Sequence, residues 1–391
     1  MIRFSCERLI LNEALAAASR AASGRPAHDG LPRSLHVEAR GKDAKGSLVI
    51  TGSDTDFSLV TSVDANVSSA GACLIDARIF SDIVRRLSSE DVEIAVDDQY
   101  QAAITCGASE FSIAALSAER YTAVPDVEVS RSVTMPQPDL KRLIGLTSYA
   151  VSVNETRGVH TGVLFDGKTG SLTLVALDGH RMAVAETEME NEEAFRFVAH
   201  ASPVSELERL LGTDEEQTVT VEIGRRFARF DLGRTQVIAR LLEGEFLQYE
   251  NSLPSDCAFS VRADTKALIQ SIERVALLIS DKLKNPVRLQ FDGKEKNAPA
   301  LRLSCVTGLG KAADSLPVDI EGSEGLEIGF NHRYLLDALR RAPDERIELR
   351  LNGPLQPLLV VAAPDGGEAS DGEKYDAGYR FLILPVRLNM E

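Results

Sequence analysis

A chain of 391 residues exceeds what one hydrophobic core supports, so two or three domains are expected. Its 44% hydrophobic and 26% charged residues are ordinary for a globular protein, and no run of 18 apolar residues exists to span a membrane. The net charge of −16 argues against a uniformly basic nucleic-acid binder, but phosphate contact depends on where the positive charges lie rather than on their sum.

Taken in order, the chain repeats itself. "ERLILNEALAAASRAA" from Glu7 has the spacing of an amphipathic helix, and "GSLVITGSDTDFSLVTSV" (46–63) that of a hairpin. "DARIFSDIVRRLSSEDVEIAV" (76–96) follows, with Phe80, Ile83, Val84 and Leu87 on one helical stripe, then a polar turn and an alternating strand. The same three elements return as "DLKRLIGLTSYAVS" from Asp139, "GSLTLVALDGHRMAVAE" (170–186) and "ASPVSELERLLGTDEEQTVTVEI" (201–223). They return again as "TKALIQSIERVALLIS" from Thr265, "PALRLSCVTGLGKAADSLPV" (299–318) and "HRYLLDALRRAPDERIELRL" (332–351). A period of about 130 residues is domain-sized, too long for a solenoid unit.

Pro-containing stretches, "AVPDVEVSRSVTMPQPD" and "YENSLPSDCAFS", separate the copies. The expectation is three α+β domains over 1–128, 129–254 and 255–391, each with two helices and antiparallel strands. "APDGGEASDGEKYDAG" (363–378) reads as a mobile loop leading into a last strand, "YRFLILPVRL".

Five cysteines without paired spacing suggest reduced thiols in a cytoplasm, and "MIRFSCERLI" lacks the layout of a secretory signal. The six histidines show no metal-binding spacing, and no Ser or Cys stands in a nucleophile context, so neither a catalytic residue nor a metal or other cofactor is expected. Positive charge concentrates instead on the second helix of two copies. Arg78, Arg85 and Arg86 share an Arg-x6-Arg-Arg pattern with Arg333, Arg340 and Arg341. Arginines without interleaved aromatics suit sequence-independent phosphate contact. The middle copy has Ala201, Glu208 and Arg209 at those positions.

"VALDGHRMAV" (175–184) carries the strongest resemblance, to the bacterial sliding clamps, the DNA polymerase III beta subunit family. "SGRP", "GSDTDFSLVTSV", "GVLFD", "LLEGEF", "EIGFNHRYLLDAL" and "LPVRL" support it in order along nearly the whole chain. The resemblance implies a head-to-tail homodimeric ring of six domains around double-stranded DNA, with helices lining the hole. It implies a processivity role without catalysis. Arg25 joins the six arginines above as DNA-facing, and the interface sets Phe111 and Ile113 against Leu278 and Ile279.

The resemblance further implies a pocket for short linear peptides from the polymerase III catalytic subunit, the clamp loader, other polymerases and repair proteins. Carried over by position, that pocket comprises His160, Leu177, Gly179, His180, Arg181, Met182, Leu247, Asn331, Tyr334 and Leu355, with the terminal run Leu382, Ile383, Leu384, Pro385, Val386, Arg387 and Leu388. Leu177 stands where the family has threonine, and Leu247, Asn251 and Ser252 also differ from the family pattern. Two alternatives remain open in the sequence: a paralogue serving a repair polymerase, and a peptide-binding module that forms no ring.

Overall fold

The computed structural model describes residues 1–22, 33–41, 43–54, 56–88, 91–254, 256–280, 285–292, 299–322, 325–364 and 378–388. One succession of elements occurs three times. The first pass is β1 (Ile2–Glu7), α1 (Arg8–Ala21), β2 (Ser34–Arg40), β3 (Asp43–Ser53), β4 (Phe57–Ser69), β5 (Gly71–Asp76), α2 (Ala77–Arg86), β6 (Asp91–Val96), β7 (Gln101–Cys106) and β8 (Ser109–Ser117). The second is β9 (Arg131–Pro136), α3 (Gln137–Thr147), β10 (Gly162–Lys168), β11 (Ser171–Leu177), β12 (Arg181–Glu188), β13 (Phe195–His200), α4 (Ala201–Leu210), β14 (Thr218–Ile223), β15 (Phe227–Asp231) and β16 (Thr235–Arg240). The third is β17 (Phe259–Asp264), α5 (Thr265–Ala276), β18 (Val287–Asp292), β19 (Ala300–Thr307), β20 (Gly310–Pro317), β21 (Asp319–Gly322), β22 (Glu327–Phe330), α6 (His332–Leu339), β23 (Arg346–Leu351), β24 (Leu358–Ala362) and β25 (Tyr379–Ile383). The short β21 is the third pass's one addition among the described residues. The α+β class and the threefold internal repeat expected from the sequence are both present.

The helices start where the local chemistry dictates. Asp76 caps α2 by accepting the Ile79 N–H at 2.8 Å, and Asp264 caps α5 by accepting that of Ala267 at 2.6 Å. On α2, Phe80 and Val84 are buried while Arg85 and Arg86 stay exposed, as the stripe requires.

The chain forms two compact bodies. Residues 1–141 and 199–242 make the first, and residues 142–198 and 243–391 the second. In the first, one antiparallel sheet runs β1-β6-β7-β8-β5-β2-β3-β4-β16-β15-β14-β9. Its repeats join at β4–β16, where Thr61 faces Thr235 and Phe57 faces Ala239. Leu11, Leu15, Leu48, Ile50 and Phe80 are fully buried there.

In the second body, β13-β10-β11-β12-β25-β24-β23-β17-β21 form one sheet and β20-β19-β18-β22 another. The repeats join here at β12–β25, with Arg181 opposite Ile383 and Ala185 opposite Tyr379. Phe165, Phe291, Phe330 and Phe381 fill this core. Arg25 and residues 365–377 of the expected mobile loop lie outside the described residues.

Candidate functional site

The site grows from the turn between β11 and β12. Asp178 Oδ1 accepts the N–H groups of His180 (2.8 Å) and Arg181 (3.1 Å), and the Asp178 N–H donates to the Arg181 carbonyl at 3.2 Å. Gly179 adopts φ +85°, the left-handed conformation that favours glycine. The Arg157 guanidinium donates to the Asp178 carbonyl at 2.9 Å and covers Gly179 so closely that a Cβ there would meet its Nη1 at 2.4 Å. The turn is thereby fixed from inside and roofed from outside.

Arg181 points inward, its side chain only 11% exposed. Its Nε donates to Asp178 (3.1 Å), its Nη1 to Asp337 on α6 (2.5 Å) and its Nη2 to the Tyr149 carbonyl (3.1 Å). The guanidinium carbon lies 5.3 Å from the ring centroid of Tyr149 and 4.8 Å from that of Tyr334. Burial alone would lower its pKa, but the two carboxylates outweigh burial and raise it. Arg181 therefore ties the turn to α6.

Hydrogen bonds to a charged partner of this kind contribute about 1.5–3 kcal/mol each. Asp337→Asn should destabilise the chain within that range, seen as a lower midpoint in thermal unfolding. An unchanged midpoint would contradict the tie.

Around this anchor the structure gathers several of the expected residues. His180 stacks on Tyr334 with centroids 5.8 Å apart, and Asn331 caps α6 by accepting the Arg333 N–H at 3.0 Å. Leu177, Met182, Leu382 and Ile383 are buried on paired strands beneath. His160 packs edge-on against Phe246 at 5.5 Å, and burial, with a smaller contribution from Arg157, holds its pKa below the ordinary histidine value. Leu247 and Leu355 are exposed on the connections after β16 and β23.

The terminal run differs from its sequence reading. Alternation from Leu382 to Leu388 reads as one strand, yet β25 ends at Ile383. Leu384 still donates its N–H to the His180 carbonyl at 2.8 Å, but Pro385 has no N–H to continue a ladder. The chain then crosses to β22, where Val386 donates to the Gly329 carbonyl at 2.8 Å. Leu388 lies over Gly329, whose absent side chain makes the space: a Cβ there would meet Leu388 Cδ2 at 2.5 Å. Leu384 and Val386 are each 39% exposed and Arg387 is also exposed, while Pro385 and Leu388 are half-buried. Apolar side chains beside a stacked His–Tyr pair and a rigid turn are what a linear peptide anchor requires.

Sequence reasoning missed Tyr149, Arg157 and Asp337. Only Asp337 left a signal, being three residues after Tyr334 and so on the same helix face.

The expected DNA-facing arginines that the structure describes, Arg78, Arg85, Arg86, Arg333, Arg340 and Arg341, are all exposed. Phe111 and Ile113 lie on β8, which pairs with β7 along residues 101–106 but with β5 only through 115–117. Residues 109–114 thus present an open edge among the described residues. In the second body β20 pairs with β19 alone among the described strands. Leu278 and Ile279 follow α5 nearby, half-buried, Leu278 Cδ1 lying 3.9 Å from the Cβ position of Gly310.

Comparison with known proteins agrees with this architecture. Family models for the N-terminal, central and C-terminal domains of the DNA polymerase III beta subunit match residues 2–125, 134–248 and 250–369 in turn. The chain is 32% identical to the beta sliding clamp of Synechocystis, over 99% of this chain and 100% of that one. It is 30% identical to the beta sliding clamp of Bacillus subtilis, over 86% of this chain and 88% of that one. The solved sliding clamp of Bacillus subtilis superposes with a TM-score of 0.88 at 27% identity, covering 99% and 100% of the two chains. A sliding clamp from Pseudomonas aeruginosa bound to griselimycin gives 0.87 at 26% identity, with the same coverage. Three consecutive domain matches and full-length relatives place the chain: it belongs to the DNA polymerase III beta subunit family, the bacterial beta sliding clamps.

Proposed function

We propose that two copies of this chain close head to tail into a ring around duplex DNA and tether a polymerase without catalysing any reaction. The observation that carries this reading is a pair of unlike open stretches, residues 109–114 of β8 in one body and the edge strand β20 in the other. Open edges invite uncontrolled pairing unless they are matched. Two unlike edges, each used once per copy, close a ring of two and leave neither of the two exposed. Phe111 and Ile113 then face Leu278 and Ile279 of the partner subunit.

Topology supplies retention, so Arg25, Arg78, Arg85, Arg86, Arg333, Arg340 and Arg341 need make only weak, sequence-independent phosphate contacts. The Asp178–Arg181 turn, Tyr334 and the tail from Leu384 to Leu388 take the linear peptides of the polymerase III catalytic subunit, the clamp loader and other polymerases and repair proteins. We place the domains at 1–128, 129–254 and 255–391. Among the described residues no helix is long and apolar enough to cross a membrane. With five cysteines, none of them disulfide-bonded, we assign the chain to the cytoplasm.

The test is topological. The protein is loaded onto a nicked circular plasmid by a clamp loader, and the plasmid is then cut. Retention on the circle and release on linearisation are expected; equal retention on both forms would overturn the ring.

A further inference from the structure

In all three repeats an arginine at the C-terminal end of the second helix is already held by a carboxylate. On α2, Arg85 Nη2 donates to Asp82 Oδ1 at 2.5 Å, and Arg86 Nη1 lies 3.6 Å from the same oxygen. On α4, Arg209 Nη1 donates to Glu206 Oε1 at 2.6 Å, while Arg20 of α1 reaches Glu206 Oε2 at 3.3 Å. At the end of α6, Arg340 Nη2 donates to Glu273 Oε1 of α5 at 2.7 Å.

The acids do not come from one repeated position. Asp82 corresponds to Ser205 in the second copy, where Glu206 serves instead. It corresponds to Asp337 in the third, but Asp337 is committed to Arg181, and a different helix supplies Glu273. Three separate solutions give one result, a helix-end arginine paired in place. The α2 and α6 pairs are exposed and add little to stability, so stability does not account for those two.

We propose that Asp82 and Glu273 are built-in phosphate substitutes that keep the duplex-facing Arg85, Arg86 and Arg340 from gripping DNA. This rests on the reading that these helix faces meet the duplex. A guanidinium already paired exchanges one oxyanion for another when a phosphate arrives, so few DNA counterions are released and the contact stays weak. The displaced carboxylate also repels the phosphate, which at roughly 6 Å in water amounts to about a threefold loss of binding per acid. Weak, even contacts let a ring slide.

The experiment uses the full-length dimer carrying Asp82→Asn and Glu273→Gln, both at exposed pairs. Binding to a fluorescein-labelled linear duplex of arbitrary sequence is followed by anisotropy across a salt series. A companion variant carries Arg85→Ala, Arg86→Ala and Arg340→Ala. The carboxylate variant should bind at least roughly tenfold tighter, with a log–log salt slope steeper by about 0.9 for each phosphate newly engaged. The arginine variant should bind more weakly than wild type. If the arginine variant weakens and the carboxylate variant matches wild type, the phosphate-substitute role is wrong while the DNA-facing reading stands. If neither variant changes binding, the DNA-facing reading fails and takes the proposal with it.

Discussion

Removing residues 384–391 should abolish binding of a polymerase-derived peptide while leaving the protein a folded dimer. β25 ends at Ile383, so the truncation spares the sheet that joins the second and third repeats. It takes away the half-exposed Leu384 and Val386, the exposed Arg387, and Leu388 over Gly329. What remains is the His180–Tyr334 stack on its turn, one side of the site. A peptide burying one large apolar anchor between those sides is expected to bind in the low micromolar range, on the order of −8 kcal/mol. Titration of a labelled peptide against wild type and truncation, read by anisotropy, decides the matter. Equal affinity for both would place the peptide site elsewhere on the chain.

The second large effect is on assembly. Leu278→Asp combined with Ile279→Asp should convert the dimer into a folded monomer. Two buried-interface carboxylates facing Phe111 and Ile113 of the partner subunit would be desolvated without a counter-charge, a cost of several kcal/mol per ion at each of two equivalent interfaces. Within one chain both positions are only half-buried at the end of α5, so the fold should tolerate the change. Light scattering at micromolar concentration is the measurement. A variant that stays dimeric would remove this segment from the interface, and a monomeric wild type would remove the ring.

Much of this was legible in the sequence because the determinants are local. The stripe of Phe80 and Val84 with Asp76 ahead of it specifies α2, and Asn331 with Leu335 and Leu339 does the same for α6. The Asp178–Gly179 pair gives its turn directly. What escaped depends on residues far apart in the chain. Arg181 turns inward because Asp337, 156 positions away, lies beside it. The tail abandons its strand at Pro385 because Gly329 on β22 offers both a carbonyl and an empty space. A glycine inside a strand is a recognised sign of close backbone approach, but the sequence does not say what approaches.

The place of β25 bears on how the molecule is made. This last strand pairs with β12 on one side and β24 on the other, so the sheet of the second body is spliced by its final residues. As the chain emerges from the ribosome, β12 is finished nearly two hundred residues before its neighbour exists. Until Ile383 is released, both β12 and β24 offer bare edges that invite mispairing. Body two can therefore complete itself only once β25 has emerged, whereas every strand of body one is already out by Arg240. A premature stop before Tyr379 would leave the early half folded and the late half a client for chaperones and proteases, a far harsher lesion than the loss of the tail alone.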